Sequence, residues 1–123
     1  MKTIHTAKAP EAIGPYSQAI VHGGLLFTSG QIAINPASGQ VEADTIEGQT
    51  EQVMQNLAAL LEEAGASFDS VIKTTCFLSD MADFAAFNAI YGAYFVSKPA
   101  RSCVAAKQLP KNVLVEVEFI AAV

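Results

Sequence analysis

Glu116 and Glu118 are where a chemical reading of this sequence begins. From Val113 to Ile120 apolar residues alternate with others, a period of two that predicts a strand. Val113, Val115, Val117 and Phe119 fall on one side, and Leu114, Glu116, Glu118 and Ile120 on the other. The all-apolar side suits a core. The two carboxylates then share a face with Leu114 and Ile120, which are too apolar for a surface that meets only solvent. A carboxylate partly desolvated in this way can position or activate a water molecule. The competing reading is a pair of solvated acids on an exposed sheet face, the commoner fate of Glu.

A cationic partner is available in Arg101, which follows Pro99-Ala100 at the start of the preceding predicted strand and is expected to flank the same sheet face as Glu116. Its planar fork offers two parallel charge-assisted hydrogen bonds to a carboxylate, an orientation that the point charge of Lys does not impose. A surface Arg, or one paired with a structural acid, is the alternative. Alternation puts Cys103 and Ala105 on the same side as Arg101. Cys103 as a nucleophile would need a base, and the only histidines are His5, near the terminus, and His22, at a predicted turn. A buried, inert thiol is the simpler state. In Thr28-Ser29-Gly30-Gln31 a glycine inside an extended segment allows close approach of a ligand or another backbone. Tyr16 and Asn88 are equally usable as pocket walls and as ordinary structure. An Arg clamp and one water-directing acid are the minimum for hydrolysing a small carboxylate-bearing substrate.

The elements that must position these groups can be traced from periodicity. Ser17 to Val21 and Leu25 to Gln31 are extended segments separated by His22-Gly23-Gly24, a pair of glycines suited to a tight hairpin. Asn35 to Gly39 is a turn by composition, followed by a brief strand at Gln40 to Glu42. Between Thr45 and Ala64 the period turns helical, with Ile46, Val53, Leu57, Leu60, Leu61 and Ala64 on one face. Asp44 offers a cap for it, and Gly65 a left-handed terminator. A β-branched strand from Ser70 to Leu78 precedes a second helix from about Met81 to Val96, capped by Asp80 and rich in aromatic residues. Strands at Ser102 to Lys107 and Val113 to Ala121 close the chain. This order suits an α+β domain, a mostly antiparallel sheet with two helices on one face.

The 123 residues read as one domain spanning 1–123. Only 15% of them are charged, against roughly 25% in an average soluble domain. No apolar run approaches the roughly 18 residues of a membrane span, so subunit interfaces are the expected home of the surplus apolar surface. A net charge of −5, from 7 basic and 12 acidic residues, opposes nucleic-acid binding. The N-terminal residues lack the apolar core of a secretory signal, and the expected location is the cytoplasm. Two separated cysteines, Cys76 and Cys103, indicate neither a disulfide framework nor a metal site. Phosphate loops and nucleophile elbows are absent from the sequence, which excludes many cofactor-dependent readings.

Six segments together resemble the RidA (YjgF) family over nearly the whole chain. They are Ile13-Gly14-Pro15-Tyr16-Ser17-Gln18, Thr28-Ser29-Gly30-Gln31, Asn35-Pro36-x-x-Gly39, Val71-x-Lys73-Thr74-Thr75-x-Phe77, Pro99-Ala100-Arg101-Ser102-Cys103-Val104, and Leu109-Pro110-Lys111 with Val115-Glu116-Val117-Glu118. The resemblance implies a chorismate-mutase-like fold and a homotrimer, its sheets forming a central barrel and its ligand sites lying between subunits. It implies cofactor-free deamination of 2-iminopropanoate and 2-iminobutanoate, intermediates released by pyridoxal-phosphate-dependent dehydratases, to 2-oxo acids and ammonia. Arg101 would then hold the substrate carboxylate and Glu116 would orient the attacking water, with Glu118 structural. Cys103 would contribute main-chain hydrogen bonds and pocket shape. Tyr16, Ser29 with Gly30, and Asn88 would complete the pocket. The connection Tyr94 to Pro99 is several residues shorter than the resemblance leads one to expect. A non-catalytic trimer that binds small acids or partner proteins, and a ribonuclease, are the competing functions.

Overall fold

The computed structural model describes residues 1–123. Six strands form the main sheet: β1 (Lys2–Ile4), β2 (Ala19–His22), β3 (Leu25–Thr28), β6 (Val71–Leu78), β7 (Ala100–Ala105) and β8 (Val115–Ala122). Their order is β1-β2-β3-β8-β6-β7. A separate two-stranded ribbon pairs β4 (Ile34–Asn35) with β5 (Gln40–Val41). All neighbouring pairs in the main sheet are antiparallel except β6 and β7. That pair is parallel because the helix α2 (Phe84–Tyr94) carries the chain back between them, as parallel neighbours require. The fold is mixed α+β with a mostly antiparallel sheet and two helices.

The first helix, α1 (Ile46–Glu63), forms where the 3.6-residue stripe predicts it, and Val53, Leu57, Leu60 and Leu61 are all buried. Its cap is Thr45 rather than Asp44. Thr45 is extended and stands directly before the first helical residue, so its Oγ1 reaches the Gly48 N–H at 3.1 Å. At the other end Gly65 is left-handed (φ 74°), and the Ala66 and Gly65 N–H groups donate to Leu61 and Glu62 O, a Schellman closure. The Gly23-Gly24 hairpin also forms as predicted, with φ 61° and 76°.

Several boundaries differ from the sequence expectation. The first hairpin pairs Ala19–His22 with Leu25–Thr28, because the chain turns off the sheet after Thr28 and rejoins it only at a Gln31–Val117 bridge. The second helix is preceded by a 3₁₀ turn, Met81–Asp83, where Asp80 accepts from the Ala82 N–H, and it stops at Tyr94. Strand β7 starts at Ala100, since parallel pairing with Lys73 and Thr74 draws Ala100 and Arg101 into the sheet.

Both helices cover the same face and close one core with Val115, Val117, Phe119, Cys76 and Leu78. The opposite face is uncovered, leaving Phe27 40% and Val104 49% exposed. No helix is long and apolar enough to cross a membrane.

Candidate active site

Register decides on which side of the sheet each chemical group lies. Glu116 stands opposite Phe77, and Phe77 stands beside Val104, so these three share the uncovered face. Arg101 stands beside Thr74, and Thr74 opposite Phe119, both buried under the helices. Arg101 and Glu116 therefore lie on opposite faces of the sheet within one subunit. The expectation that they flank one face is overturned. Its reason is parity: Arg101 aligns through β6 with Phe119, an odd number of residues from Glu116, and each step along a strand reverses the face.

Two separate clefts result. The Glu116 cleft, about 260 Å³, is lined by Ile13, Tyr16, Gly30, Ile34, Lys111 and Glu116 among others. Gly30 is a matter of space: a Cβ built there would collide with the Glu116 carboxylate, although the backbone is not left-handed. The peptide beside it is stapled to β8, since the Gln31 N–H donates to Val117 O (2.8 Å) and the Val117 N–H to Gln31 O (3.1 Å). Ser29 ties down the preceding loop: its Oγ donates to Ser17 O at 2.6 Å and its N–H to Gln18 O at 2.9 Å. Tyr16 lies at the rim with an exposed ring.

Gln18 is a structural element of this cleft that sequence reasoning missed. Its buried amide donates to Thr6 O (3.0 Å) and Pro10 O (2.8 Å) and accepts from the Thr6 N–H (2.8 Å), bracing the strand-to-loop segment that forms one wall. In the sequence it stands only as the last residue of the Ile13–Gln18 segment and near the start of a mostly apolar strand, neither of which reveals a partner twelve residues away.

Burial, and secondarily the charge of Glu118, pushes the Glu116 carboxyl above its ordinary value. That makes Glu116 a better proton acceptor near neutrality than a solvated acid. It also has a stability consequence. A carboxyl raised in the folded state favours folding at low pH, and that contribution is lost as pH climbs from the unfolded value through the folded one. At neutral pH the ionised side chain opposes folding. Glu116→Gln is therefore expected to raise the melting temperature at neutral pH, with the gain shrinking as pH falls through the raised folded-state value and gone below about pH 4.5, where the acid is mostly protonated in both states. Paired thermal melts at the two pH values check this; a destabilised variant at neutral pH contradicts it.

The Arg101 cleft, about 510 Å³, lies on the helix side and is lined by Asn88, Tyr91, Gly92, Lys98, Pro99 and Arg101 among others. The Arg101 Nη1 donates to Asn88 Oδ1 at 2.7 Å, and its Cζ lies 4.8 Å from the Tyr91 ring centre and 5.4 Å from that of Phe84. Residues 84, 88 and 91 recur at i, i+4 and i+7, so one stripe of α2 grips the guanidinium. Lys8 pairs with Glu62, the His5 ring nitrogen lies 3.0 Å from the Glu11 carboxylate, and Arg101 has no acidic partner in the subunit. An unneutralised guanidinium in a cleft is suited to an anionic ligand.

Cys103 lies two residues along the same side. Burial pushes its thiol up, opposed in part by the Arg101 charge, and Cys76 beside it is pushed up to about 12. Both are thiols at neutral pH, which favours the inert reading over a nucleophile. The structure thus brings Tyr16, Gly30 and Glu116 to one cleft, with Ser29 bonded into the loop behind it, and Asn88 and Arg101 to the other, with Cys103 on that side of the sheet but outside the cleft lining.

Comparison with known proteins gives this arrangement a context. A family model described as Endoribonuclease L-PSP matches residues 6–123. A Lactococcus lactis protein bearing a regulator's name, AldR, is 56% identical over 124 residues, covering 100% of this chain and 98% of its own. The Escherichia coli K12 protein named 2-iminobutanoate/2-iminopropanoate deaminase is 47% identical over 124 residues, covering 98% and 96%. The crystal structure of E. coli TdcF with bound serine aligns with a TM-score of 0.94 at 41% identity, covering 100% of this chain and 99% of that one. With similarity of this depth along its whole length, in sequence and in fold, the chain belongs to the RidA (YjgF) family.

Proposed function

We propose that the protein is a hydrolytic deaminase of small reactive imines, converting 2-iminobutanoate and 2-iminopropanoate to the 2-oxo acids and ammonia without a cofactor. The observation that carries this reading is the split site. One cleft holds a guanidinium with no acidic partner and the other a half-buried carboxylate of raised basicity, on opposite faces of one sheet. Neither suffices alone. The chamber forms where the Arg101 cleft of one subunit meets the Glu116 cleft of another, in a homotrimer of chorismate-mutase-like domains. The uncovered sheet face with Phe27 and Val104 is a natural contact for such self-association.

In this chamber Arg101 holds the substrate carboxylate with the donors that Asn88 leaves free. Glu116 accepts a proton from water as its oxygen bonds to the imine carbon, the C=N electron pair moving to nitrogen. Glu116 returns that proton to nitrogen, completing the carbinolamine, and the carbinol hydroxyl passes its own proton by way of Glu116 to the departing nitrogen as the C–N bond breaks and the carbonyl forms, releasing ammonia and restoring the carboxylate. An imine already hydrolyses in water, so orientation and charge stabilisation are the main requirements. Tyr16, Ser29, Gly30, Asn88 and Cys103 shape the substrate pocket. The substrates would come from pyridoxal-phosphate-dependent dehydratases in the cytoplasm.

Support comes from the deaminase name of the E. coli relative, and from the serine in TdcF, a small molecule that carries the same α-carboxylate. The regulator's name of the L. lactis relative favours a second reading, a trimer that senses small acids without turning them over. The ribonuclease reading has the net charge of −5 against it. Adding the protein to a threonine dehydratase reaction and following 2-oxobutanoate decides between them. The expected result is release faster than in buffer alone, in proportion to the protein added. An unchanged rate, with 2-oxobutanoate still bound, would leave the sensor.

A further inference from the structure

We infer that Tyr91 is a positioning residue for Arg101, its ring face holding the guanidinium plane while Thr74 locks the ring. The inference rests on the proposed role of Arg101 as carboxylate clamp. One hydrogen bond, to Asn88, does not by itself fix a guanidinium, which can still pivot about that contact. The additional constraint comes from aromatic faces, of which Tyr91 is the nearer at 4.8 Å.

Tyr91 is held on every side. It is 7% exposed, stacked on Phe95 with ring centres 4.4 Å apart and an interplanar angle of 27°, and set against Phe87 at 5.5 Å. Its hydroxyl is 2.7 Å from Thr74 Oγ1, and Thr74 is fully buried. Thr74 in turn is the register partner of Arg101 across the parallel β6–β7 pair. Clamp and tether thus arise from the same rung of the sheet, with the ring of α2 bridging them.

Packing alone does not call for this hydroxyl, since Phe84, Phe87 and Phe95 fill the neighbouring positions of α2 and its end without one. Burying two hydroxyls stabilises little beyond what their mutual bond restores. What the pair does supply is a single orientation for the ring. Burial also pushes the Tyr91 hydroxyl above its ordinary value, so it stays protonated and keeps the Thr74 bond.

The test is a double-mutant cycle read by calorimetric binding of 2-oxobutanoate and by dehydratase-coupled kinetics. Tyr91→Leu is expected to weaken 2-oxobutanoate binding and raise KM by about 10-fold, with kcat changed less than about 2-fold, because holding a non-reacting carboxylate is uniform binding. Tyr91→Phe and Thr74→Val keep the ring but untie it, and each is expected to cost about 3-fold in Kd. In an Arg101→Gln background all three effects should vanish. Equal losses in both backgrounds, or a fall in kcat at unchanged Kd, would overturn the inference and leave Tyr91 as a core residue only. Thr74→Val, close in shape, keeps the test alive if Tyr91→Leu does not fold. Binding is read without turnover, so a protein that binds 2-oxobutanoate but hydrolyses no imine would sink the deaminase and spare the clamp. A parent protein that does not bind it sinks the clamp and Tyr91 with it.

Discussion

Arg101→Ala and Glu116→Ala are each expected to be nearly inactive, and chains of the two kinds assembled together are expected to regain about a quarter of parental imine hydrolysis. The single losses follow from the chemistry. In the proposed mechanism, removing the carboxylate forfeits the water's proton acceptor, worth about 10²–10⁴ in rate. Removing the guanidinium leaves the substrate carboxylate desolvated and unpaired, a loss on the order of 10² in kcat/KM. Spontaneous hydrolysis sets the floor in both. The regain follows from the sheet. Arg101 and Glu116 project from opposite faces of one subunit, so a chamber containing both draws one from each of two chains. In a random mixture each site then has about one chance in four of receiving an intact Arg101 from one neighbour and an intact Glu116 from the other. Co-expression of differently tagged chains, or refolding of an equal mixture, followed by the dehydratase-coupled assay, measures it. No regain in a mixed oligomer would mean that the two residues do not share a chamber.

Gly30→Ala is expected to lower kcat/KM by about 10²-fold while leaving the melting temperature within a few degrees of the parent. The three atoms nearest the added methyl all belong to the Glu116 side chain, its Oε2, Cδ and Cγ. A flexible carboxylate can swing aside at little cost to the fold, but it then stands away from where it must meet water, and displacements near 1 Å can cost this much. Because the damage passes through Glu116, adding Gly30→Ala to Glu116→Ala should cost nothing further. A Gly30→Ala protein with parental kcat/KM would show that the present carboxylate position is not the working one, and a further loss in the Glu116→Ala background would assign Gly30 a contact with substrate.

Much of this architecture was legible because it is local. The stripe Val53-Leu57-Leu60-Leu61 announces α1, Gly23-Gly24 announces the hairpin, and the alternation from Val115 to Ile120 announces which side of β8 is buried. The cap of α1 slipped by one residue, from Asp44 to Thr45, because both residue types cap well and only the chain's entry angle chooses between them. The two further residues predicted at the end of α2, Phe95 and Val96, fall outside it since Phe95 folds back into the core against Tyr91, taking the chain out of helical geometry.

The sequence by itself determined which groups could do chemistry, Arg101 and Glu116 above all, because an unusual residue in a strand pattern is visible wherever the strand lies. Only the tertiary structure decided that these groups face away from each other, that Gly30 is the clearing for the Glu116 carboxylate, that Gln18 braces the wall, and that Tyr91 and Thr74 back the guanidinium. The physical reason is that alternation assigns faces within a strand but not between strands. Relative facing across β7, β6 and β8 is set by hydrogen-bond register, a long-range property that residue types along the chain do not encode one position at a time.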